Sequence, residues 1–130
     1  MSWYLDSSAI LKLVLDEKER PLLVKEIKAS AVTSKISRVE VKRAVTRLAP
    51  DDLLLAENEL AKITMMEISD IVLRIAKGFS LKVTLRTLDA IHVATVLVLG
   101  ESIEGLISYD KQMIKNAKEL GIQVLSPGVK

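Results

Sequence analysis

From Thr87 to the last apolar run, the chain alternates helix and strand in a pattern that few architectures accept. Thr87 is placed to cap a helix predicted over 88–99, ended by Gly100, and a strand is predicted over 106–109, bounded by Gly105 and Asp110. A helix over 111–120 then stops at Gly121, and a last strand at 122–125 precedes Pro127. Glycine just past a helix relieves the left-handed turn that ends it, and short apolar runs between turn residues read as buried strands. Helices alternating with strands predict an α/β fold, with helices layered on a mostly parallel sheet.

The upstream sequence continues the pattern. Trp3-Tyr4-Leu5 is a short strand ending at Asp6, and Ser7 or Ser8 is placed to cap a helix through 10–15. Pro21 opens a second helix, 31–33 is a second strand, and Ser34 or Ser37 is expected to cap a helix through 39–48. Pro50-Asp51-Asp52 starts another helix with acids at its positive end. Residues 64–68 suit a short strand, and Ser69 or Asp70 caps the helix after it. With 130 residues and no repeat, linker or low-complexity stretch, one domain over 1–130 is expected.

Composition narrows the class. Cysteine is absent, which excludes thiolate metal sites and disulfides and fits a reducing cytoplasm. No signal peptide is apparent, and the apolar stretch at 90–99 is too short to cross a bilayer, so no membrane role is expected. Mean hydropathy is +0.29 although charged residues make up 28%, an apolar surplus that points to self-association. Asn58, Asn116, Gln112 and Gln123 are the only amides, a scarcity that fits a heat-loving source.

Four acids stand out on this frame. Asp6 and Asp110 each follow a strand, and ligands of parallel α/β sheets bind beyond the carboxyl ends of strands. Asp89 lies in the first turn of its helix. Glu40 lies between Val39 and Val41 near a core boundary, where an unpaired charge is costly and a divalent cation would compensate it. Each acid also has an ordinary reading. Asp89 suits a helix dipole, Asp6 and Asp110 suit turns, and Glu40 can pair with Arg43 one turn on. Their spacing alone forms no local metal motif.

In chain order, the segments Tyr4-Leu5-Asp6-Ser7-Ser8, Ser37-Arg38-Val39-Glu40, Leu85-Arg86-Thr87-Leu88-Asp89-Ala90-Ile91-His92-Val93-Ala94 and Ile107-Ser108-Tyr109-Asp110 resemble the signature of PIN-domain nucleases, specifically VapC-type toxins of toxin–antitoxin pairs. The resemblance spans residues 3 to about 126, and Leu-Asp-Ala-Ile-His-Val-Ala is its most specific block. Many members carry Thr two residues before the last acid, where Ser108 stands here and keeps the hydroxyl. The resemblance implies a three-layer α/β/α PIN-like fold and a metal-dependent endoribonuclease.

It further implies one or two Mg²⁺ or Mn²⁺ ions, for which carboxylates are the right hard ligands. Asp6 and Asp89 are then direct metal ligands, Glu40 a ligand or water-positioner, and Asp110 a ligand of a second ion or an outer group. Ser7 and Ser108 orient carboxylates by hydrogen bonds. The expected partners are RNA, a second copy of the chain and a cognate antitoxin, the two protein contacts using apolar faces at about 21–35 and on the helices from 38 to 63.

Setting the four acids aside leaves 19 bases against 13 acids, a basic body around an acidic pocket. Arg38, Lys42, Arg43 and Arg86 are the candidate RNA-phosphate contacts. His92, the only histidine, follows Asp89 by one helical turn; among Ala90, Ile91, Val93 and Ala94 it is read as structural. The alternatives are a PIN nuclease of RNA processing without a toxin role and, more remotely, an aspartate phosphotransfer domain of the receiver-like kind, with Lys111 after Asp110.

Overall fold

The computed structural model describes residues 1–28 and 30–129. Ala29, within the 21–35 stretch expected to offer a partner face, lies outside the described residues. The order is β1 (Ser2–Leu5), α1 (Ser7–Val14), α2 (Arg20–Ile27), β2 (Ala31–Ser34), α3 (Ile36–Leu48), α4 (Leu53–Ala61), β3 (Thr64–Met66), α5 (Asp70–Lys77), α6 (Thr87–Leu99), β4 (Ile103–Ile107), α7 (Lys111–Glu119) and β5 (Val124–Leu125).

The five strands form one sheet in the order β3-β2-β1-β4-β5, and every pairing is parallel. The chain starts at the centre, winds outward to β3, and returns to the other side of β1 as β4. The winding reverses between β1 and β4, which makes their carboxyl ends the crevice where such sheets bind ligands. A receiver-like domain orders its strands 2-1-3-4-5, so the phosphotransfer alternative does not match this topology.

Alternation along the strands divides the core. Trp3, Leu5 and Ile107 face one side and pack with Ile10, Leu13, Leu23, Val41 and Val45 from α1, α2 and α3. Tyr4 and Leu106 face the other side, against Val93 and Val96 of α6 and Met113 of α7. The result is the expected three-layer α/β/α arrangement. Every residue from Ala90 to Val96 is buried, because α6 lies between the sheet and α5, whose Val72 packs on Ile91 and Ala94. A helix apolar all round needs cover on both sides. Among the described residues, no helix is long and apolar enough to cross a membrane.

Several boundaries differ from expectation, each for a local reason. Asp6 caps α1, not Ser7 or Ser8: its carboxylate accepts from the Ala9 N–H. Arg86 is the N-cap of α6 and Thr87 is already helical, while Lys35 precedes α3 without a side-chain cap. Ser69 does cap α5, accepting from the Val72 N–H. Gly105 lies inside β4 and does not bound it. Between Ser2↔Ile103 and Tyr4↔Leu106, β4 advances one residue more than β1, a bulge. A Cβ at Gly105 would stand 2.5 Å from the Gln123 carbonyl oxygen and 3.0 Å from the Trp3 ring, so only glycine lets β5 approach there.

Candidate active site

The register of the central strands builds the site. Leu5 pairs with Ile107, so the next residues, Asp6 and Ser108, leave their strands side by side. Asp6 is 2% exposed, and its charge is held by short hydrogen bonds. Its Oδ1 accepts from Ser8 Oγ at 2.6 Å and from the Ala9 N–H at 3.0 Å; its Oδ2 accepts from Ser108 Oγ at 2.5 Å. Both serines are tied further. Ser8 Oγ accepts from the Tyr109 N–H and Ser108 Oγ from the Asp110 N–H, which staples the β4 exit to the start of α1. Burial pushes the Asp6 carboxyl above the usual carboxylate range, against the lowering pull of Ser108 and Ser8.

Glu40 lies near the start of α3, which carries it to the carboxyl rim of the sheet. Its Oε1 accepts from Ser7 Oγ and lies 2.6 Å from His92 Nε2, and Ser7 is likewise at 2.6 Å. Burial works to raise this carboxyl, but the hydrogen bonds from His92 and Ser7 outweigh it and hold it below its ordinary value. Glu40 therefore pairs with His92 of α6, not with Arg43 on its own helix. The carboxylate to which Ser7 donates is that of Glu40.

Asp89 and Asp110 complete the rim from the other layer. Asp110 is exposed and caps α7, its Oδ1 accepting from the Met113 N–H at 2.8 Å. Asp89, in the first turn of α6, is half-buried. Its carboxyl is raised by that burial and by repulsion from Asp110, Glu40 and Asp6. One carboxylate thus feels the charge of the other three, from residues spread over the whole chain. Among the described residues, no three acidic or histidine side chains stand in an arrangement that could hold a metal ion as they are placed. The donor set nonetheless fits a hard divalent ion in kind: it is all carboxylate oxygen, and the mutual repulsion is what such an ion relieves.

The basic candidates separate by helical phase. Arg43 follows Glu40 by three residues and shares its side of α3, whereas Arg38 and Lys42 lie nearly opposite and line a groove with Glu57 and Leu60 of α4. Arg86 immediately precedes the helix that carries Asp89. All four are exposed, and among the described residues none enters an ion pair.

Comparison with known proteins gives the lineage. The PIN domain family profile matches residues 3–119, nine-tenths of the chain. The chain belongs to the PIN-domain family. Within it, the VapC type is its kind. Ribonuclease VapC46 of Mycobacterium tuberculosis is 38% identical over 126 residues, covering 95% of this chain and 96% of the relative. Ribonuclease VapC35 of the same species is 32% identical, covering 96% of each. Two solved structures share the fold at low identity. A toxin–antitoxin complex from Klebsiella pneumoniae superposes with a TM-score of 0.77 at 17% identity, covering 97% of this chain and 98% of that one. M. tuberculosis VapC20, described as a sarcin-ricin loop cleaving toxin, gives 0.76 at 12%, covering 97% and 100%.

In this PIN domain, sequence reasoning missed Ser8 and Tyr4 as parts of the site. Ser8 carried a signal, being one of two consecutive hydroxyls after a strand-end acid. Tyr4 carried none: its contact with His92 spans 88 residues and exists only once α6 lies on the sheet.

Proposed function

We propose that this chain is a divalent-metal-dependent endoribonuclease, the toxin of a toxin–antitoxin pair, acting in the cytoplasm. Asp6, Glu40, Asp89 and Asp110 would hold one or two Mg²⁺ or Mn²⁺ ions. The observation that carries this reading is the Asp89 carboxyl, raised by burial and by the charges of the other three acids on one rim. When bound, such ions supply an activated water, neutralise the scissile phosphate and stabilise the leaving oxygen. Ser8 and Ser108 keep Asp6 in place, while Ser7 and His92 keep Glu40 in place, so the carboxylates need little reorganisation. Arg43 and Arg86 flank the acids and would bind the RNA backbone.

Partner surfaces accompany the reading. A cavity of about 370 Å³ between α2 and α4 is lined by Leu13, Val24, Ile27 and Ile63, with Arg20 and Lys62. The Arg20 Nε–H is buried there with no hydrogen-bond acceptor among the described residues. An antitoxin segment carrying apolar side chains and an acceptor would fill this space. Exposed Val39, Leu48 and Leu54 on α3 and α4, with Ile71 and Leu73 on α5, offer apolar area for a homodimer.

RNA cleavage assayed with Mg²⁺ or Mn²⁺, with EDTA, and with Asp6→Asn and Asp89→Asn tests the function. Activity should appear only in the wild type with metal. Undiminished cleavage by both variants would refute it.

A further inference from the structure

Between β1 and α3 runs a hydrogen-bonded chain that the reaction chemistry does not require. Tyr4 Oη lies 2.6 Å from His92 Nδ1, the opposite ring nitrogen Nε2 lies 2.6 Å from Glu40 Oε1, and the two rings meet edge to face at 75°. Tyr4 and His92 are 0% and 1% exposed, so bulk water does not compete for the bond between them, while Glu40 is half-buried. We propose that Tyr4 and Glu40 together lock His92 in the Nε2–H tautomer, making the ring a fixed donor that clamps one oxygen of Glu40 and leaves the other without a hydrogen bond among the described residues. His92 is thus a positioning residue. Its value for metal binding rests on the nuclease reading above; the tautomer lock does not.

The assignment follows from which groups have protons to give. A carboxylate only accepts, so Nε2 must donate to Glu40. When the ring is neutral it has one N–H, which makes Nδ1 the acceptor and the phenol its donor. A phenol carries its proton in neutral water, so Tyr4 Oη, 2.6 Å from the ring nitrogen, has one to give to Nδ1. Ser7 Oγ gives Oε1 a second donor. Two donors on one oxygen fix the rotation of the carboxylate, and Oε2 has no hydrogen-bond partner among the described residues.

His92 is the only histidine, so its ring gives one unambiguous pair of ¹⁵N resonances. In mildly alkaline, metal-free solution the wild type should show a protonated Nε2 and a bare Nδ1. Protonation at Nδ1, alone or with Nε2, would overturn the lock. Calorimetric titration with Mn²⁺ then separates positioning from mere packing. Loss of the donor in His92→Met should weaken Mn²⁺ binding about tenfold, and His92→Gln, whose amide nitrogen can donate to Glu40, should recover most of it. Wild-type affinity in a folded His92→Met protein contradicts the clamp. If methionine prevents folding, Tyr4→Phe decides instead. It leaves Nδ1 without its donor, so the ring should loosen and Mn²⁺ binding weaken while Glu40 keeps the proton on Nε2; unchanged affinity overturns the proposal. A wild type that binds no Mn²⁺ refutes the metal reading, and the ¹⁵N result still decides the lock.

Discussion

Ser108 Oγ donates to Asp6 Oδ2 at 2.5 Å across 102 residues of sequence. The bond joins the exits of the two central strands and supports a carboxylate that is almost wholly buried. Ser108→Ala leaves that oxygen short of a donor, which costs about 1–3 kcal/mol, more where the orphaned group is charged. A melting temperature lower by several degrees in EDTA is expected. Repeating the substitution on Asp6→Asn should cost less, because the buried charge is gone; an equal cost in both backgrounds would show that the bond is not what stabilises.

The Asp89 carboxyl is raised by burial and by Asp110, Glu40 and Asp6, and this fixes a sign. A raised acid binds its proton more tightly folded than unfolded, so stability falls as pH rises from the ordinary carboxylate range through the raised value. Below the unfolded pKa both states are protonated and there is no penalty. Asp89→Asn should therefore stabilise the metal-free protein at neutral pH, with the gain vanishing in acid. Denaturant unfolding in EDTA across that window checks it. Glu40 has the opposite sign: its lowered carboxyl stabilises above the ordinary range and stops doing so as pH falls through its folded value. Glu40→Gln should destabilise at neutral pH.

Part of this candidate site was readable before the fold was known: strand-end geometry pointed to Asp6 and Asp110, and the resemblance to PIN-domain segments pointed to Glu40 and Asp89. Asp6 and Asp110 end strands, and a parallel sheet places strand ends on one rim. Ser108 was legible through the resemblance, standing where many PIN-domain members carry Thr two residues before the last acid. The cap was not: whether Asp6, Ser7 or Ser8 turns toward the first N–H groups depends on where Ser108 and Glu40 stand, which no local pattern encodes. Gly105 was placed at a strand boundary because glycine weakens strands in general, whereas here the close approach of Gln123 requires it inside one. His92 was read as structural, and its pairing with Glu40 adds a contact that helical spacing from Asp89 could not supply.

Gly105→Ala drives a Cβ to 2.5 Å from a backbone oxygen, which cannot swing aside as a side chain would. β5 must shift, at a cost of about 1–3 kcal/mol as for other overpacked interiors. Chemical denaturation measures it. A loss within error would mean that the bulge relaxes freely.

Arg43 and Lys42 are neighbours in sequence but lie on different sides of α3, and only Arg43 shares the side of Glu40. Arg43→Gln should weaken RNA binding and lower the slope of log K against log salt by about 0.7, the value for one phosphate contact on a single strand. Lys42→Gln should change it less. Equal effects would place the RNA elsewhere.

Crystals grown with Mn²⁺ and measured at the manganese absorption edge test the shared-cation site most directly. The expected result is an anomalous peak among the carboxylates of Asp6, Glu40, Asp89 and Asp110, absent from Asp89→Asn. A saturated crystal with no peak there, its acids instead neutralised by lysine or arginine, would contradict the site.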